Sequence, residues 1–346
     1  MEESRNRTVW IVIAAVAALI GVAVCTCALI AAAVGGSILY VTPLRQSEAL
    51  IDDGKRPVNR YEVGPSPSLT IDNFAGSITV TAGESGAIDV IARKQGRRQR
   101  DLDRIEVNIR PQDGGLAIET RQPPGVSRAM VQLEIRTPSD TRLEARTGSG
   151  SIVVRGLRGG AQVDTGSGSL ALSDLAGDLK AHTGTGSVKV EGVQGKACVD
   201  SGSGSLRLYA IHGELEASTG SGSVEIADVQ GGLDAHTGSG SIDVREAIGG
   251  PVNVDTGSGR IQYTGRAAGP CRFETGSGDV TLNLPANLNM TIDLHTSTGQ
   301  IEFNYELDGR VTAGGKTVKG IVGSGERGKI YARTGSGDIR LVPQQE

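Results

Sequence analysis

The chain has 346 residues and a formal net charge of −4, with Lys and Arg nearly balancing Asp and Glu. So mild a charge argues against a general nucleic-acid binder and selects no partner by its sign. Aromatic residues make up only 3%, so any core has to be filled by Val, Ile, Leu and Ala.

Residues 1–8 form a short polar tail carrying Glu2, Glu3, Arg5 and Arg7. From Thr8 to Leu44 no residue is charged, and Val9 to Val34 is almost wholly apolar. That run exceeds the ~20 residues a helix needs to cross a bilayer, and the ~7–15 apolar residues of a cleaved signal peptide. Residues 9–40 are therefore expected to be an uncleaved transmembrane helix whose partner is the lipid bilayer. A lipoprotein reading would use Cys25, but Val24 before it fits poorly and the apolar run continues beyond. Arg5 and Arg7 precede the span, whereas Arg45, Lys55, Arg56 and Arg60 follow it, so counting positive charges does not favour a cytoplasmic N-terminus. The very short head nevertheless suits a signal anchor in a bacterial cytoplasmic membrane, with the rest of the chain outside the cytoplasm. Residues 41–68 hold Pro43, Pro57, Pro65 and Pro67 among few apolar residues, which describes a linker.

From Thr147 onward the phrase Thr-Gly-Ser-Gly returns at a fixed period. Close copies begin at Thr165, Thr183, Ser201, Thr219 and Thr237, each 18 residues after the last (165 − 147 = 18). Copies at Thr256 and Thr275 follow at a spacing of 19, then a decayed one near Thr296 and a clean one at Thr334. A period of this size marks a repeat architecture. Within each unit two aliphatic pairs alternate with polar residues, as in Leu206/Leu208 and Leu215/Ala217. Alternation of period 2 means short strands with one buried face. Gly159, Gly177, Gly195, Gly213 and Gly231 mark one bend and Gly-Ser-Gly the other. Two strands and two bends make one coil of a β-solenoid, whose coils stack at ~4.8 Å with like residue on like. Residues 147–342 are expected to be the regular solenoid, and 69–146 its degenerate first coils and cap. The period fails around residues 308–319, and a last coil from Thr334 to Leu341 is expected to end the stack at Pro343, which cannot donate to a further ladder. Residues 343–346 are then a tail.

Two stretches carry a family resemblance: Ile71-Asp-Asn-Phe-Ala-Gly-Ser-Ile-Thr-Val80, and Val131-Gln-Leu-Glu-Ile-Arg-Thr-Pro138 leading into Leu143-Glu-Ala-Arg-Thr-Gly-Ser-Gly-Ser-Ile152. They resemble the adhesin-labelled DUF4097 family of β-strand-repeat proteins over roughly residues 69–342. The resemblance implies a right-handed parallel β-helix on bacterial envelope proteins, and it brings no catalytic residues. The expected class is thus all-β, a β-solenoid of ~18-residue coils preceded by one transmembrane helix.

Candidate chemistry is sparse. Cys25 and Cys27 lie in the apolar span; Cys198 faces outward and Cys271 inward, four coils apart, too far for a disulfide. His182, His236 and His295 share one outer column that runs Arg146, Asp164, His182, Asp200, Ser218, His236, Asp255, Glu274, His295. A flat column does not converge three or four ligands on one point, so no metal is expected. The turns offer Ser and Thr, with Asp only at Asp279 and Asp338, which does not suit a calcium β-roll. Glycine for the corner and hydroxyls for buried backbone groups explain the motif without a ligand. No Ser-His-acid set stands apart from the many equivalent serines, and no phosphate loop or cofactor motif is present. The one basic cluster, Arg93 to Arg104, is expected as an exposed loop, with Arg97, Arg98 and Arg100 as candidate contacts for anionic lipid or wall polymer.

These features point to a membrane-anchored, non-catalytic, adhesin-like binding or spacing surface. Its partner is expected to be an envelope glycan, an anionic polymer or a protein. The alternative is a self-assembling solenoid scaffold. An enzyme acting on polysaccharides is less favoured, because the coils from 147 to 280 have almost no insertions from which to build a cleft.

Overall fold

The computed structural model describes residues 51–344, apart from 53, 55–57, 84–85, 113, 267 and 312–314. They belong to the second of two units in the chain, Ala49–Glu346. The expected transmembrane helix at 9–40 lies outside them. Among the described residues no helix is long and apolar enough to cross a membrane.

Each repeat folds as its alternation requires. Leu170–Leu175 and Leu179–Thr185 are the two strands of one coil. Strands of the first kind stack into one sheet and strands of the second kind into another, fifteen in each among the described residues. Pairing is parallel and in register, so Leu170 lies on Val188, Val188 on Leu206 and Leu206 on Val224. These columns, and the Leu/Ala columns of the opposite sheet, are at most a few per cent exposed. The core is therefore a set of aliphatic ladders between two sheets. Its large aromatic pair, Tyr263 and Phe273, meets with ring centroids 5.1 Å apart.

A third apolar column, Leu175, Val193, Ile211 and Val229, is also buried although its parity is wrong for a plain strand. In Leu206–His212 the inward residues are 206, 208 and 211. A residue in the left-handed region resets the parity just before each: Asp174, Ala210, Asp228 and Glu246 have φ of 57, 54, 54 and 55°, and Gly156 and Gly192 fill the same place in their coils. This is a bulge repeated once per coil. The first of the two 19-residue coils absorbs its extra residue at Gly249-Gly250, both with positive φ.

Both ends of the stack depart from chain order. The last coil, Lys329–Ser336 and Ile339–Pro343, was expected to end the ladder at Pro343. Instead it is intercalated. Its strands pair on one side with Cys271–Ser277 and Val280–Leu284, and on the other with Met290–Thr298 and Ile301–Phe303. The chain thus lays down 290–303 one place too far out, turns through the antiparallel pair Asp308–Val311 and Thr317–Val322, and returns to fill the gap. The first end does the same: Ser68–Asn73 and Ile78–Gly83 sit between the coil at 142–155 and the outer strands Gly115–Arg121 and Met130–Pro138. Repeated side chains in register bond equally well whatever their order in sequence, so the period alone does not reveal this.

Part of the stretch expected as linker is paired: Asn59–Glu62 lies antiparallel on Ala87–Gly96, and Ile51 sits opposite Gly96.

Candidate functional site

The repeated motif is consumed by the fold. Thr165, Thr183, Thr219 and Thr237 are buried, and each hydroxyl donates to the second motif glycine of the preceding coil, 2.9–3.0 Å from Gly150, Gly168, Gly204 and Gly222 O. Ser201 makes the same bond at 3.1 Å. The glycines are needed because backbones pass too close for a side chain: a Cβ on Gly186 would stand 2.2 Å from Gly168 O. The two acids of the turns are engaged as well. Asp279 Oδ1 accepts the Asp338 N–H, and Asp338 Oδ1 the Gln300 N–H, each at 2.9 Å. Among the described residues no three His, Cys, Asp or Glu are placed to hold a metal ion.

The basic segment is not the open loop expected. The strand Ala87–Gly96 continues through Arg93 and Lys94; Arg93 pairs with Glu134 at 2.9 Å, and Lys94 Nζ donates to Ile105 O at 2.7 Å. A single helical turn, Gln99–Leu102, follows, anchored by buried Leu102 over Gly96. Arg98 and Arg100 are exposed on that turn and Arg97 is half-buried beside it. Arg100 Nε lies 3.9 Å from Asp101.

The outer column holds in register from Arg146 through Glu274. It then takes Arg333, not His295, because the intercalated coil interposes that residue. His236 Nε2 lies 2.6 Å from Asp234, Ser218 donates to Asp200, and His295 meets Thr317 Oγ1 at 3.1 Å. Cys198 is half-buried; burial first, then the nearby Asp200 charge, pushes its thiol up. Cys271 is buried, and burial pushes it up to about 12. The two thiols point to opposite sides of the sheet, as the parity implied.

One of several concavities, with no counterpart in the sequence reading, is a groove of ≈ 460 Å³ along the strand starts of the second sheet. Its floor is low because Gly232, Pro251 and Pro270 stand where earlier coils carry Asp178, Lys196 and Glu214. Tyr331 and Lys329 join its lining through the intercalated strand, with Arg272 Cζ 4.9 Å from the Tyr331 ring centroid. Gly-Pro-Pro down one corner column was the available signal; the arrival of Tyr331 beside Arg272 had none.

A family model described as Toastrack DUF4097 matches residues 67–342. The chain belongs to this family. Among solved structures this Toastrack chain is similar to a "putative cell adhesion protein" from Clostridium sporogenes at 13% identity, covering 84% of this chain and 100% of that one, with a TM-score of 0.18. It is also similar to a "putative adhesin" from Bacteroides fragilis (12% identity, 83% and 97% covered, TM-score 0.26) and to another from Parabacteroides distasonis (11%, 84% and 98%, 0.27). No curated protein matches the sequence.

Proposed function

We propose that this Toastrack chain is a bacterial envelope protein, anchored in the cytoplasmic membrane by residues 9–40, whose solenoid is a non-catalytic, adhesin-like binding surface outside the cytoplasm. Its coils wind right-handed, as the family resemblance implies. The observation that carries the reading is where the repeated polar groups go. Threonine hydroxyls close buried backbone carbonyls and the turn acids accept exposed backbone N–H groups, leaving two outer faces of registered side chains. Such faces suit recognition or spacing better than chemistry, which needs groups converging on one point. Arg97, Arg98 and Arg100 are assigned to anionic lipid or wall polymer: they form the basic cluster of the chain, and Arg98 and Arg100 are exposed on its helical turn. Exposed basic side chains are attracted by an anionic surface.

The test uses the full-length chain expressed in a bacterial host. It should remain in the membrane pellet after alkaline extraction, and protease added outside intact spheroplasts should digest the solenoid. Purified chain should then bind wall fractions saturably, and binding to anionic vesicles should weaken when Arg97, Arg98 and Arg100 are changed to Ala. A soluble chain, or one protected from external protease, would defeat the anchored surface reading. Vesicle binding that the triple variant retains would defeat only the arginine assignment.

A further inference from the structure

We propose that the groove over Gly232, Pro251 and Pro270 binds a neutral, extended oligosaccharide. The inference rests on the binding-surface reading above and assigns it a place and a ligand class.

Charge decides the class. Four charged side chains line the groove, and each already faces a partner. Glu214 is 3.3 Å from Lys196, and Asp234 is 2.6 Å from His236 Nε2 and accepts Asn253 Nδ2 at 2.8 Å. Arg272 is 2.7 Å from Glu274, and Lys329 is 2.9 Å from Asp293. Glu214 and Asp234 offset Arg272 and Lys329, so the lining carries no net charge that would select an ionic ligand. An uncharged ligand leaves all four in place and uses their spare lone pairs and N–H groups. Planar polar side chains held in a network are pre-oriented to receive hydroxyl groups from a flat, polyhydroxylated ring.

Shape agrees with charge. The volume of ≈ 460 Å³ falls in the range of small-ligand sites. Glycine and two proline rings give a floor of apolar faces, against which the C–H face of a pyranose packs. Tyr331, held by the cations of Arg272 and Lys329, adds an aromatic wall with a hydroxyl at its tip. The lining comes from five successive strands, from the coil of Glu214 to that of Lys329, about 19 Å at ~4.8 Å per coil. A groove that repeats its backbone at this interval matches a chain of sugars better than a single one. The intercalated coil is integral to the site. Without it, the strand beside Arg272 would bring no Tyr331 and no Lys329.

Binding is measured by titration calorimetry on the full-length chain in a detergent without a sugar headgroup. The probes are an N-acetylglucosamine hexamer and cellohexaose, with hexagalacturonate as the acidic comparison. Gly232→Phe fills the floor, and its Cβ would meet nothing closer than 3.7 Å. Tyr331→Ala removes the wall. Saturable binding of a neutral hexamer is expected, weakened by about tenfold or more in both variants and stronger than for hexagalacturonate. No saturable binding of either neutral probe overturns the proposal, as does binding that both variants retain or a preference for the acidic probe. If wall fractions are still bound in those cases, the surface reading stands and only this groove falls. Thermal melts accompany each titration; if Tyr331→Ala melts early, Gly232→Phe decides.

Discussion

Thr183 and Gly186 show how one motif performs two jobs at residue scale. The threonine hydroxyl closes a buried carbonyl, and the glycine lets two backbones touch. Glycines in this protein are therefore unequal. Gly186→Ala drives a Cβ to 2.2 Å from Gly168 O at a φ of +144°, and is expected to cost about 3 kcal/mol or more, in the range of severe single changes. At Gly192 the φ is +73°, but the nearest atom stands 3.7 Å away, so Gly192→Ala should cost only the ~1 kcal/mol of a left-handed alanine. Urea midpoints of the two variants check the contrast, and equal midpoints would contradict it. Ala210 already sits in that left-handed place at φ 54°. Ala210→Gly is expected to raise stability by about 0.5–1 kcal/mol, relief of strain slightly exceeding the entropy of a freer unfolded chain; a lowered midpoint would count against the repeated bulge.

At the scale of elements, the intercalated coil predicts how the C-terminal end fails. Strand Lys329–Ser336 has a partner on each side. Ala332→Pro, which breaks ladder bonds while keeping the strand in its place, should therefore loosen Met290–Phe303 and the Asp308–Val322 hairpin from the stack, and hydrogen exchange should lose protection there as a block. If the coil were a terminal cap, only its own amides would be affected. Electrostatics fastens the same region. Burial works to raise the Asp293 carboxyl, but hydrogen bonds and charges from Lys329 and Lys319 outweigh it, so the folded pKa lies below the ordinary aspartate value. A depressed folded pKa adds stability that is complete above the unfolded value of ~3.9 and is lost as pH falls through the folded one. Asp293→Asn is expected to cost about 1 kcal/mol at pH 7, with the difference from wild type shrinking below pH 4. A difference that persists unchanged in acid would refute the linkage.

At the scale of the whole solenoid, the second sheet is closed at both edges by antiparallel strands, and the first ends in the very short parallel strand Ile301–Phe303. Glu106–Gln112 carries Pro111 at one edge of the second sheet, and Asp308–Val311 forms the other. Edges built this way resist pairing with a second copy. The solenoid should sediment as a monomer across a wide concentration range. Filaments or length-graded oligomers would revive the scaffold reading.

Much of this was legible in the residues themselves. Eighteen-residue spacing, period-2 aliphatics and two classes of bend define the coil, its inward columns and its in-register stacking, because each depends on local parity and on like meeting like. The faces of Cys198 and Cys271 followed from the same parity. The departures share one cause. Which coil lies beside which at the two ends depends on long-range pairing, and a ladder of similar residues accepts either order, so Arg333 displaced His295 and Tyr331 reached Arg272 without a local signal. The helical turn carrying Arg98 and Arg100 likewise exists because Leu102 found Gly96 to bury against. Sequence alone determined the repeated body; tertiary structure decided its ends, and with them the groove, since only there does packing choose among pairings that local chemistry leaves equal.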